Sequence, residues 1–309
     1  MGTLLLLPLA LSCITVGDPE RTAYQPEARI STYNAPPGTA DNFDWRTILR
    51  AKPRIQFQVL HTGQVRVPRS GMLNLEHPAM QGTEDGEMYV DVFAFHICHT
   101  REGCYLIDSG LDDSFRTGRG GNISGLMASS YVIDTRQDEG QDIAAQLNAH
   151  TQNNLRGVFF THLHGDHTSG VPALPKDIRF IAGKNDEYIN YYLLYHSDHL
   201  AGVQHLEEID FTNAPEHAPL GRVVDLFGDG SFWAISTPGH SRGHVSYLVI
   251  SQDGPILLTG DASHTRLGFE KGVEPGWTYH RADMQQSLKQ LRAFAQEYPE
   301  VRVIFGHER

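Results

Sequence analysis

The sequence predicts an α/β fold, an αββα sandwich in which two mixed β-sheets pack between outer helices. Short apolar runs recur at 55–60, 65–67, 90–97, 104–107, 155–160, 232–236, 256–258 and 301–304, with the length and the β-branched and aromatic content of strands. Two stretches carry helical periodicity instead. Residues 141–150 set Ile143, Ala144 and Leu147 on one side, and Arg281–Glu297 sets Met284, Leu288, Leu291 and Phe294 on one face. Finally, 309 residues with 40% hydrophobic content can bury one large core, and a single domain of about 250 residues is ordinary.

From the N-terminus, Leu4 to Leu11 is an apolar run broken by Pro8, too short to span a bilayer. Residues 1–17 read as a secretory signal peptide without the usual basic start, so export to the periplasm or medium is expected. Cys13, after Leu11 and Ser12, is a candidate lipid anchor. Residues 18–54, with several prolines and no apolar periodicity, read as an N-terminal arm or linker, leaving 55–309 as the main domain. Cys98 and Cys104 flank a short turn between two strand-like runs. They are equally readable as a disulfide in an oxidising compartment or as two half-buried thiols.

The stretch Thr161-His162-Leu163-His164-Gly165-Asp166-His167 puts four metal-competent side chains into six positions, on the loop leaving the strand-like run at 155–160. A catalytic site typically takes about three protein ligands and a water per metal, so four close ligands are too many for one ion. On a turning loop His162 and His164 face one ion while Asp166 and His167 face another, and each ion needs more. His240 follows 232–236 on a Pro-Gly turn, Asp261 follows 256–258, and His307 follows Val301 to Ile304. All three stand at strand ends, where open α/β architectures gather their sites.

This His-x-His-x-Asp-His run, followed by single His, Asp and His residues in that order, resembles the metallo-β-lactamase superfamily over roughly residues 55–309. The resemblance implies His162, His164 and His240 on one metal, Asp166, His167 and His307 on the other, and Asp261 bridging both. It implies two divalent ions, zinc first among them, holding a bridging hydroxide that attacks the substrate. Asp166 would handle the proton of the leaving group. Asp108 would orient a metal-bound histidine, its alternative being a plain turn residue. The block Thr237 to Leu248 is closest to the acyl-homoserine lactonase branch. His264 stands where that branch is expected to carry tyrosine, and by analogy would aid the oxyanion.

The implied function is therefore a lactonase or esterase acting on small molecules. Organophosphate or β-lactam hydrolysis by the same fold is the alternative, with an RNase Z-like nuclease further off. The formal charge of −12 and the lack of a basic arm oppose nucleic acid as a partner. Residues 184–220, with Tyr188, Tyr191, Tyr192 and Tyr195, read as an inserted lid or as extra core packing. His196, His199 and His205 are expected on its solvated face, and His244 is expected to support a ligand.

Overall fold

The computed structural model describes residues 29–38, 43–52, 54–117, 120–126, 132–150, 154–186, 197 and 199–309. Residues 1–17 with Cys13, the four tyrosines at 188–195 and His196 lie outside the described residues. The apolar runs form strands, and the alternation of their side chains builds the layers. On β3 (Glu87–His99) Phe93, Phe95 and Ile97 enter the space between the sheets, whereas Ala94 faces outward. On β4 (Gly103–Ile107) Tyr105 and Ile107 point in and Leu106 out. The run β6 (Leu155–Phe159) sends Phe159 inward, with Val158 and Phe160 outward.

The second half does the same from the opposite side. On β11 (Phe232–Ser236) Phe232 and Ala234 join the inner layer, and Trp233 and Ile235 the outer one. On β12 (Val245–Ser251) Val245, Tyr247 and Val249 face in, and Leu248 and Ile250 face out. One outer layer is closed by α3 (Ile143–His150) through Ile143 and Leu147. The other is closed by α6 (Arg281–Glu297) through Met284, Leu288, Leu291 and Phe294. Helix, sheet, sheet, helix is thus the order of layers.

Hydrogen-bond pairing runs β1 (Arg29–Thr32), β8 (His205–Ile209), β7 (Arg179–Gly183), β6, β4, β3, β2 (Ile55–Pro68) in one half. The other half runs from β12 through β11 and β10 (Gly221–Asp225) to β9 (Glu216–His217), with β13 (Gly254–Leu258) on the free side of β12 and β14 (Arg302–Ile304) beyond it. The halves meet at one residue pair, Ser251 and Ile55. Parallel pairs (β4–β6, β6–β7, β13–β14) mix with antiparallel ones, as expected of mixed sheets.

Several expectations are corrected. The two runs at 55–60 and 65–67 are one strand, bulged between His61 and Gly63. Residues 18–54 are more than a linker over their described part, because β1 adds a parallel strand to β8 and Tyr33 enters the inner core. The short helix α1 (Trp45–Leu49), capped by the Asp44 carboxylate, buries Trp45 and Leu49 against α6. Residues 184–220 are not wholly an insertion, since β8 pairs within the sheet and Leu200, Val203 and Leu206 are core. These segments lack the apolar density that marks the central strands. Cys98 and Cys104 stand opposite each other on β3 and β4 and are joined by a disulfide. Among the described residues no helix is long and apolar enough to cross a membrane.

Phe159 is fully buried and packs against Tyr33, Tyr105, Phe227, Phe232 and Tyr247 from both sheets. Phe159→Ala is expected to cost about 3–5 kcal/mol, read as a lower urea midpoint with an unchanged m-value.

Candidate metal centre

Four strand ends on one edge of the sandwich deliver the site. His162 follows β6, and His164 begins the single turn α4 (Gly165–Thr168) that carries Asp166 and His167. His240 follows β11, Asp261 follows β13, and His307 follows β14. Their burial differs in a useful way. His162, His167, His240, Asp261 and His307 are buried, while His164 and Asp166 are only half-buried and form the open side.

Asp261 stands at the centre, each carboxylate oxygen facing a different group. Oδ2 lies 3.6 Å from His162 Nε2 and 3.3 Å from His240 Nε2. Oδ1 lies 3.4 Å from His167 Nε2 and 3.5 Å from His307 Nε2. Asp166 Oδ2 completes the second group, 3.7 Å from His167 Nε2 and 3.4 Å from His307 Nε2. His164 completes the first, with Nδ1 at 2.9 Å from His240 Nε2. The ligand atoms of His162, His164, His240 and Asp261 lie mutually within 4.8 Å, as do those of Asp166, His167 and His307. The seven side chains expected from the sequence are therefore brought together, and in the expected two groups.

A cation site explains this crowding better than hydrogen bonding does. His162 Nε2, His167 Nε2 and Asp261 Oδ1 are buried without a hydrogen-bond partner, a costly state for polar atoms. The outward nitrogens are all engaged. His240 Nδ1 faces the Trp277 carbonyl at 2.9 Å, and His307 Nδ1 faces that of Asp91 at 2.8 Å. A carbonyl only accepts, so each Nδ1 carries a proton and Nε2 is the nitrogen turned inward. His167 Nδ1 reaches Asp108 Oδ2 at 2.8 Å, while Thr161 donates to the same carboxylate from its backbone and hydroxyl. Asp108 itself sits at φ 56°, just past β4, which turns its side chain towards His167. It thus has both properties weighed for it, a turn residue that also orients His167.

Charge divides the two groups. Burial, then the neighbouring imidazoles, hold His162 well below the usual histidine range. Burial likewise depresses His240 well below that range and brings His164 down to about 4. For His167 burial pushes downward, but Asp261, Asp108 and Asp166 outweigh it and raise the ring well above its usual value. His307 is raised in the same way, against burial, by Asp261 and Asp166. Burial opposes the charge of Asp261, yet the histidines around it hold the carboxyl well below the usual range.

The supporting residues were partly hidden in the sequence. His244 Nε2 accepts from the Asp261 backbone N–H at 2.9 Å and its Nδ1 faces Thr237 Oγ1 at 2.9 Å, so it holds the Asp261 turn as expected. Asp186, buried, accepts from Leu163 N and Gly243 N, stitching the His162 loop to the His240 loop. Nothing near Asp186 marks it in the sequence except its place after a strand. Gly306 leaves no room for a Cβ, which would overlap Asp261 Oδ1. His199 is not on a solvated face: it is fully buried, 2.9 Å from Thr168 Oγ1 and 2.8 Å from Asn122 Oδ1. His205 is exposed and meets Ser31, as expected.

The profile of the metallo-beta-lactamase superfamily matches residues 89–307. A curated relative, the N-acyl homoserine lactonase AttM of Azorhizobium caulinodans, is 26% identical over 247 residues, covering 78% of this chain and 91% of the relative. Among solved structures, an N-acyl homoserine lactone hydrolase with N-hexanoyl-L-homoserine at its catalytic metal centre superposes with a TM-score of 0.62 at 21% identity, covering 83% of this chain and 94% of the other. A dizinc quorum-quenching lactonase gives a TM-score of 0.54 at 13% identity, with 83% and 88% covered. At these identities the structural matches speak for the fold.

Two outcomes follow from the site's electrostatics. His167 and His307 are raised and so hold protons that a metal must displace, whereas His162, His164 and His240 are already neutral. Calorimetric titration of metal-free protein with a divalent ion is expected to show one step with little proton release. The other should release protons and tighten as pH rises from about 6 to 8. Asp108→Asn removes the carboxylate that orients His167 and is expected to weaken the second step by about 10–100-fold, read by competition with a chelator.

Proposed function

The chain belongs to the metallo-β-lactamase superfamily, and from that premise we propose that it is a dinuclear metallo-hydrolase opening lactone or ester bonds of small molecules. The observation that carries the reading is the division of the Asp261 carboxylate between two groups of candidate ligands whose donor atoms turn inward. His162, His164 and His240 would hold one ion, Asp166, His167 and His307 the other, and Asp261 both. Zinc is the ion proposed, because imidazole and carboxylate donors suit it, although iron, manganese and cobalt accept the same set. When bound, such a pair activates water as nucleophile and polarises the substrate carbonyl.

The chain's own residues supply the rest. Asp108 and the Trp277 and Asp91 carbonyls keep their histidines in the tautomer that presents Nε2 to the centre. Asp166, on the open side with 23% of its side chain accessible, would take up and return the proton that the leaving alkoxide needs. No serine or cysteine nucleophile is required. The lactone preference is drawn from the relatives, which are named as acyl-homoserine lactonases.

Proton release should follow when metal-loaded protein meets an acyl-homoserine lactone, a δ-lactone, an aryl ester, a phosphotriester and a β-lactam in turn. Lactones are expected to turn over fastest, with the activity lost on chelation and in Asp261→Ala. Turnover confined to the phosphotriester or the β-lactam would overturn the substrate class, and full activity in metal-free Asp261→Ala would overturn the mechanism.

The disulfide between Cys98 and Cys104 also supports export, together with the apolar stretch Leu4 to Leu11. Fractionated cells are expected to yield the protein outside the cytoplasm with these two thiols blocked to alkylation. Recovery in the cytosol with both thiols free would overturn this.

A further inference from the structure

His264 lies three residues beyond Asp261, is 1% exposed, and follows the same short turn out of β13. Its Nδ1 is 3.1 Å from the carbonyl of Met72, at the end of α2 (Arg69–Met72). A carbonyl only accepts, so Nδ1 carries a proton and Nε2 is the ring nitrogen turned to the centre. That nitrogen is 3.0 Å from Asp261 Oδ2, yet it makes no hydrogen bond and is buried without a partner. A buried nitrogen without a hydrogen bond and a buried carboxylate oxygen thus face each other in a dry site, where a cation within reach of both would engage each.

The same construction recurs at the histidines already assigned to the centre. His240 and His307 each give Nδ1 to a backbone carbonyl, of Trp277 and of Asp91, and turn Nε2 inward. His264 copies this pattern with Met72. Its Nε2, an Asp261 oxygen and the His307 nitrogen lie mutually within 4.8 Å, and its ring centroid is 5.3 Å from that of His307 and 5.2 Å from that of His240.

We propose that His264 is an eighth metal ligand, joining Asp261 and His307 through Nε2, in place of the oxyanion role the sequence suggested for it. The proposal rests on the dinuclear reading above. It adds a ligand from the turn after β13 to the dinuclear centre, beside Asp261 Oδ2, and ties the α2 segment to that centre through Met72.

The test uses full-length protein and metal alone. Metal content of the wild type comes first: fewer than two ions per chain would overturn the dinuclear reading itself. With two ions bound, cadmium-loaded, nitrogen-labelled wild type is expected to show scalar coupling from cadmium to His264 Nε2, alongside couplings to the other ligand histidines. Couplings at those residues and none at His264 would overturn this proposal alone. In parallel, His264→Gln should retain the fold by circular dichroism while losing one ion to a chelator about 10–100-fold more readily, and its cobalt-substituted form should absorb at changed wavelength and intensity. An unchanged cobalt spectrum with unchanged chelator competition would also overturn it.

Discussion

The carboxylate of Asp261 is the constraint around which the rest of the molecule is arranged. It is nearly inaccessible, faces imidazole nitrogens from His162, His167, His240, His264 and His307, and lacks a hydrogen bond on Oδ1. A buried carboxylate in that position is tolerable only if positive charge sits beside it. Metal ions supply it, and in the metal-free protein the raised His167 and His307 supply part of it. The polar centre is therefore held by the same electrostatics whether protons or metals occupy it.

Holding that carboxylate requires four strand ends to converge, and the inner core makes them do so. Phe159, Phe232, Tyr247 and Ile256 interlock between the two halves, and they belong to or adjoin the strands that deliver the ligands. Polar ties then lock the loops. Tyr247 donates to the Phe160 carbonyl at 2.7 Å, and Val245 N bonds to Thr161 O at 2.8 Å, joining β12 to the start of the His162 loop. Asp186 and His199 brace the two flanks of that loop through Leu163 and Thr168. Rigid strands with short loops between ligands suit a site whose geometry must be set before substrate arrives.

The two halves of the centre differ in character. The histidines of one are neutral and largely dry, so their donor atoms are ready for a cation. The other is acidic, with Asp108, Asp166 and Asp261 around His167, and opens to solvent at Asp166. On that side the carboxylates favour the protonated His167 ring, and solvent reaches the group at Asp166. His99 is buried between Asp229 and the backbone of Arg101 and Glu102, at the far hairpin.

The seven expected ligands were legible in the sequence because each stands next to a dense apolar run, and a strand followed at once by His or Asp is a pattern of neighbours along the chain. The helix Arg281–Glu297 was legible for the same reason, its three- and four-residue spacing of apolar positions being local. β12 was not singled out, although all its residues are buried, because a continuous apolar run carries no period that separates strand from helix. β1, β8 and α1 escaped as well, since Arg29–Thr32 and His205–Ile209 are polar segments that become strands only when the sheet edge offers hydrogen bonds. His199 read as a surface residue, and Asp186 was not singled out, because their partners are distant in sequence. The sequence by itself determined which side chains could bind metal, through composition and spacing. Only the tertiary structure decided which nitrogen of each histidine faces inward, because the carbonyls of Met72, Asp91 and Trp277 that set the tautomers come from segments remote in the chain.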